Sequence, residues 1–178
     1  MAHMVPVEFW QWAISQVKEK YPDIKFIAEL YDVHIYRDYI YRGGFDYLYD
    51  KVNLYDTLRG IQCHNISAAQ ITGCWQTVEG IARHMLNFLE NHDEQRFASR
   101  EYAGNAHLVL PSLVVAATIN NGPMMIYAGQ ELGERAEDAE GFSGRDGRTT
   151  IFDYWGVKTL QRWYNNGKCN YDLSLIHI

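Results

Sequence analysis

Apolar positions recur at helical spacing between Val7 and Tyr21 (Phe9, Trp10, Trp12, Ala13, Ile14, Val17), and Pro22 follows as a stop signal, so the first predicted element is a helix. Lys25 to Leu30 is a short apolar run with one charge, Glu29, near its end, the mark of a buried strand of a parallel sheet. Phe45 to Tyr49, opened by Gly43-Gly44, reads as a second strand, and Leu54 to Ile61 as a short helix after it. A helix from Ala68 to Glu79 follows, weakened by Gly73, and then a third strand from Met85 to Leu89. Asn105 to Ile119 is a long apolar helix carrying Pro111, which predicts a kink or break there. The turn Asn120-Asn121-Gly122-Pro123 introduces a fourth strand, Met124 to Tyr127. Gly133 to Arg148 is a polar, glycine-rich loop, and Trp155 to Tyr164 a last helix closed by Asn165-Asn166-Gly167.

Helix and strand alternate, and no Asn-Gly hairpin joins consecutive strands. This order predicts an α/β fold with a parallel sheet and crossover helices. Four strands with helices on one side fit half of an eight-stranded barrel, a fold that normally takes about 250 residues. An open doubly wound sheet is the structural alternative. No repeat or linker divides the chain.

Composition narrows the function. A chain of 178 residues with 47% hydrophobic content can bury a core, and its formal net charge of -6 disfavours nucleic acid, which needs a basic footprint. Cys63, Cys74 and Cys169 form no pair with metal-ligand or redox spacing and read as packing residues. None of the seven histidines belongs to a His-Glu-x-x-His pattern, so no metal ligand is assigned. No apolar stretch approaches the roughly 20 residues that cross a bilayer. Thirteen tyrosines and five tryptophans are present, many of the aromatics lying between Tyr31 and Tyr55, and composition favours packing over a platform for sugar rings.

In parallel barrels the loops at the C-terminal ends of the strands converge on the active face, and Glu29 and Asp93 both occupy such ends. Each residue alone is as well explained by capping or a salt bridge. Together they suggest glycoside hydrolysis, which uses paired carboxyl groups, one protonating the leaving oxygen and another acting as nucleophile or base. Glu29 follows the apolar Phe26-Ile27-Ala28, a setting expected to raise its pKa and suit it to the acid role.

Three segments carry a family resemblance. FIAEL around Glu29 resembles the strand-five motif of the alpha-amylase family of glycoside hydrolases, and LENHDEQR resembles its strand-seven motif, with Asn91-His92-Asp93 in order. GPMMIYAGQELG resembles the strand-eight motif through Gly122, Pro123, Tyr127, Gly129 and Glu131, with Gly122 and Pro123 adjacent. The likeness runs from about Met1 to Gly167, and GGFDYLYD and DGRTTIFDYW look closest to the alpha-amylases of polysaccharide-degrading gut bacteria.

The resemblance implies the C-terminal half of a (β/α)8 TIM barrel over residues 1–172. Glu29 would be the general acid/base and Asp93 the carboxylate that stabilises the transition state without attacking. His92 and Asn91 would contact substrate, and Arg96 would orient nearby acids. His3 falls where relatives carry a substrate-binding lysine or another polar residue, and Tyr31 where many have a tryptophan. The implied substrate is an alpha-1,4-glucan or maltooligosaccharide, and the family is compatible with export. Calcium is common in the family, but its usual ligands lie upstream, so none is assigned here.

MAHMVPVEFW resembles the segment that follows the family's Arg-x-Asp, which places the expected nucleophile immediately before Met1. On that reading the chain alone is inactive and exposes apolar sheet edges that favour aggregation. Leu173 to Ile178 has neither turn chemistry nor amphipathic pattern and resembles the translated end of a sequencing adapter, a non-native tail. Other family members (cyclomaltodextrinase, branching enzyme, glucosyltransferase) share the same motifs. A catalytically dead amylase-like scaffold is the rival from another class, and retention of Glu29 and Asp93 argues against it. The glycine-rich GFSGRDGRTT lacks the Gly-Lys-Ser/Thr ending of a phosphate loop and reads instead as a loop covering a sugar cleft.

Overall fold

The computed structural model describes residues 1–141, 143–152 and 156–166, so the tail Leu173–Ile178 and Cys169 lie outside the described residues. The chain divides into two compact units, one of Met1–Ile61, Ile66–Phe88 and Ala116–Met124, the other of Gln62–Asn65, Leu89–Val115 and Met125–Ile178.

The first unit is built on a parallel sheet. Helix α1 spans Val7–Lys20, entered from Pro6 and left before Pro22, as the apolar spacing requires. Strands β1 (Ile27–Ala28), β2 (Tyr47–Tyr49) and β3 (Met85–Leu86) lie in the order β1-β2-β3, all parallel, with Ala28 opposite Leu48 and Leu48 opposite Met85. Parallel neighbours need crossovers. The first crossover contains α2 (Tyr36–Tyr41), and the second contains α3 (Asp56–His64) and α4 (Gln70–Thr77). Ile14, Ala28, Leu30, Tyr36, Leu48, Ile81 and Met85 form the core between sheet and helices.

The strands are shorter than the apolar runs that announced them, because each run continues past its ladder into the turn that carries polar groups. The fourth predicted strand is not formed as a strand. Met124 makes a single parallel bridge to Asn87, and Pro123 accepts the Asn87 N–H at 3.0 Å. Proline has no N–H to continue a ladder at that point. Gly122 permits the approach: a Cβ there would lie 2.2 Å from the Met85 carbonyl oxygen. Among the described residues the sheet therefore has three strands, and no barrel closes.

Helix α2 is absent from the sequence pattern. Its buried face is Tyr36, Tyr39 and Ile40, so two of the clustered tyrosines are core, as is Tyr55, whereas Tyr31 and Tyr41 are exposed. Cys74 is buried and free, in keeping with a packing role.

The described residues of the second unit are mostly in loops and turns. Asn105 caps a 3-10 turn over Ala106–Val109, and α5 (Leu110–Thr118) follows with Pro111 in its first turn, where a missing N–H costs nothing. The expected break falls at that junction. Gln130–Leu132 is a short 3-10 turn flanked by Gly129 and Gly133, both left-handed. Among its described residues the segment 133–148 contains no helix or strand apart from one bridge between Gly141 and Gly144, and α6 runs Lys158–Asn166, starting later than its apolar pattern suggested. No helix of the described residues is long and apolar enough to cross a membrane.

Candidate active site

Glu29 stands one residue beyond the C-terminal end of β1. Its main-chain oxygen accepts the Ala2 N–H at 2.8 Å, which draws the 3-10 turn Ala2–Met4 against the strand end. The Tyr31 hydroxyl donates to Glu29 Oε1, and the Met1 nitrogen lies 3.6 Å from Oε2. The His3 ring is tilted towards Tyr31 at 6.3 Å between centroids, and its Nδ1 is buried with no hydrogen-bond partner among the described residues. Three of the sequence-predicted site residues, Glu29, Tyr31 and His3, thus form one cluster.

The apolar run before Glu29 does not enclose it. Side chains alternate along a strand, so Ala28 is buried while Ile27 is half exposed, and the Glu29 side chain keeps 26% of its surface. The carboxyl is held by donors at the surface rather than by an apolar pocket.

The second cluster lies after β3. Asn91 is buried, and its Oδ1 accepts the N–H groups of Asp93 and Glu94, both at 2.9 Å, closing a turn that presents His92 and Asp93. His92 Nε2 lies 3.4 Å from Asp93 Oδ2, and both side chains are open to solvent, at 47% and 36%. Asn91, His92 and Asp93 are therefore brought together, with the amide shaping the turn from inside.

Beneath this turn is a buried ion pair that sequence reasoning missed in part. Arg96, 1% exposed, donates through Nη1 to Glu90 Oε2 at 2.9 Å, through Nη2 to the Ala128 carbonyl at 2.8 Å, and to Thr149 Oγ1 at 3.1 Å from Nε and 2.8 Å from Nη2. Its guanidinium carbon lies 4.2 Å from the centre of the Tyr127 ring. Glu90 is fully buried, and its Oε1 accepts the Phe97 N–H at 2.7 Å. Burial pushes this carboxyl up, to about 7, against the pull of Arg96 and the Phe97 N–H, while the charge of Glu134 adds to the rise. The acid that Arg96 orients is Glu90. A charge ending the apolar run Met85–Leu89 and standing six residues before an arginine was the available signal.

Arg148 was missed as well. Its Nε donates to the Asp93 carbonyl oxygen at 2.6 Å, and its Nη1 pairs with Asp146 Oδ2 at 2.7 Å. Further on, Glu134 is buried, accepting the Ala136 N–H at 2.8 Å, the Thr159 N–H at 3.2 Å and the Thr159 hydroxyl. Among the described residues no three His, Cys, Asp or Glu side chains form a metal-binding group.

Comparison with known proteins bears on what these clusters are. Residues 6–157 match the family model described as the alpha amylase catalytic domain. Among solved structures, the cyclic alpha-maltosyl-(1→6)-maltose hydrolase of Arthrobacter globiformis in complex with maltose is similar at a TM-score of 0.65 and 21% identity over 92% of this chain. Its ligand-free form gives the same values. The chain spans 38% of the length of that hydrolase. No curated protein matches the sequence. The family match covers most of the chain, including both acid-bearing turns, and on that ground the chain belongs to the alpha-amylase family and carries part of its catalytic domain.

Proposed function

We propose that this chain supplies the general acid/base and the transition-state-stabilising carboxylate of a retaining alpha-glucan hydrolase. Within the longer enzyme it forms strands five to eight, the C-terminal half of the barrel, over residues 1–172. The observation that carries the reading is the Glu29 cluster: a carboxyl at the C-terminal end of a parallel strand, with an aromatic hydroxyl on one oxygen and the Met1 nitrogen 3.6 Å from the other. The resemblance assigns the nucleophile to the aspartate of the family's Arg-x-Asp motif, upstream of this segment.

In the mechanism, Glu29 protonates the glycosidic oxygen as the upstream aspartate attacks the anomeric carbon, forming a glycosyl ester and releasing the leaving sugar as an alcohol. Glu29, now a carboxylate, takes a proton from water, and that water cleaves the ester, returning the aspartate. Asp93 opposes the positive charge on the distorted ring, and His92 donates to a ring hydroxyl. Asn91 holds the turn and adds a polar contact, while Tyr31 and His3 border the same subsite as Glu29. The substrate is an alpha-1,4-glucan or maltooligosaccharide, and GGFDYLYD and DGRTTIFDYW resemble segments of the alpha-amylases of polysaccharide-degrading gut bacteria.

Glu29→Gln in the full-length protein should remove most starch hydrolysis, because the amide neither gives nor takes the proton. Near-normal activity in that variant would sink the assignment. The 178-residue chain alone should turn over no maltooligosaccharide, and measurable turnover would refute the upstream nucleophile.

A further inference from the structure

The glycine-rich loop that no catalytic role absorbed, GFSGRDGRTT, is tied to the Asp93 turn at three points. Arg148 Nε donates to the Asp93 carbonyl oxygen at 2.6 Å. The Arg96 N–H donates to the Gly147 carbonyl oxygen at 2.7 Å. Thr149 Oγ1 accepts from the Arg96 guanidinium, itself paired with buried Glu90. The geometry points to a clamp: segment Asp146–Thr149 fixes the orientation of Asp93, with Arg148 as a positioning residue. This inference rests on the role of Asp93 proposed above.

A carboxylate that stabilises a transition state needs a fixed position with unencumbered oxygens. Its oxygens must face the ligand, so it cannot be anchored through them; the anchor has to act on its backbone. Asp93 lies in neither helix nor strand, so no ladder supplies that anchor. Instead its N–H is held by Asn91 Oδ1 and its C=O by Arg148, which restrains the peptide on both sides of Cα and leaves the carboxylate beside His92 alone among the described residues.

The guanidinium is itself braced. Asp146 Oδ2 pairs with Arg148 Nη1 at 2.7 Å and accepts the Ser143 N–H at 3.1 Å, while Asp146 Oδ1 accepts the Arg148 N–H at 3.2 Å. Arg148 thereby presents Nε in a fixed plane, something a lysine's single flexible ammonium does not do. Gly147 completes the device. It has φ +80°, and a Cβ there would come within 2.7 Å of Ser99 Oγ and Glu101 Oε2, so only glycine lets the loop settle onto the 96–101 turn.

The test compares variants of the full-length enzyme on a maltooligosaccharide, reading kcat and KM separately together with the melting temperature. Asp93→Asn should abolish turnover. Arg148→Ala should lower kcat by about 100-fold, the scale of a misplacement near 1 Å, with KM changed far less. Arg148→Lys should recover part of that loss, because it keeps the charge and one donor but not the fork. Should Arg148→Ala fail to fold, Arg148→Lys decides by the same kcat criterion. If Asp93→Asn keeps near-normal kcat, the role of Asp93 is wrong and the clamp falls with it. If Asp93→Asn is dead and the Arg148 variants keep wild-type kcat, the clamp alone is overturned. A kcat loss that tracks the loss of folded protein also overturns it, since a purely structural contact predicts that result.

Discussion

Two buried carboxyls, one in each unit, are held in different ways. Glu90 in the second unit faces a guanidinium, whereas Asp50 in the first, 2% exposed at the end of β2, has only neutral donors among the described residues: the Leu54 N–H on Oδ1 and the Asn53 amide on Oδ2, both at 3.2 Å. Burial raises both, Asp50 to about 6 against those two hydrogen bonds and Glu90 to about 7 against Arg96. Asp50 caps a π-helical turn over Lys51–Tyr55 and can do so with or without a proton. Glu90 is half of an ion pair, so removing its partner strands a charge. The first acid is a local cap, and the second ties distant segments together beneath the Asp93 turn.

The comparison can be broken by substitution, with amide hydrogen exchange read on peptides covering 50–56 and 90–97. Arg96→Met leaves Glu90 buried and unpaired and should lower local protection around residues 90–97 by about 4 kcal/mol. Glu90→Gln keeps the shape but only one of the two acceptors, so its NH2 group meets either the Phe97 N–H or the Arg96 guanidinium, and should cost about 2 kcal/mol at the same peptide. Asn53→Ala removes one donor from Asp50 and one from the Cys74 carbonyl, for about 1 kcal/mol around residues 50–56. Asp50→Asn should be nearly neutral at pH 5, below about 0.5 kcal/mol, because the amide oxygen still accepts from Leu54. An Asp50→Asn cost equal to that of Glu90→Gln would erase the distinction between cap and ion pair.

Acidity sharpens it further. A carboxyl whose folded pKa exceeds its unfolded value binds its proton more tightly in the folded state, so stability falls as pH rises between the two values. For Asp50 that window runs from the ordinary carboxyl value of 3.8 to about 6, and for Glu90 from 4.5 to about 7. Protection around residues 50–56 should therefore decline across the lower window and level off above it. In Asp50→Asn that decline should vanish while the one around residues 90–97 persists; loss of both slopes would mean that the units do not titrate independently.

How far the chain was legible depended on distance in sequence. The periodic stretch Val7–Lys20 became α1, and Pro111 marked the junction where a 3-10 turn gives way to α5. Both signals are local. Helix α2 escaped because its buried face is made of tyrosines interleaved with Arg37 and Asp38 over only six residues, too short a window for a 3.6-residue period. The fourth strand was overread because an apolar run shows burial but not pairing. Glu29 and Asp93 stand out in the sequence because they are carboxyls at the ends of apolar runs, whereas Arg148 looks like one more charge in a polar loop.

The alternation of helices with apolar runs, the parallel sheet that follows from it, and the family motifs around Glu29, Asp93 and Tyr127 are properties of residues close together in the chain, and the sequence alone determined them. Only the tertiary structure decided which acid is buried and how Asp93 is held. Glu29 stays at the surface while Glu90 is enclosed, and Asp93 is gripped by an arginine 55 residues away. Burial and long-range hydrogen bonds depend on which distant segments meet, and neither leaves a periodic trace in the order of residues.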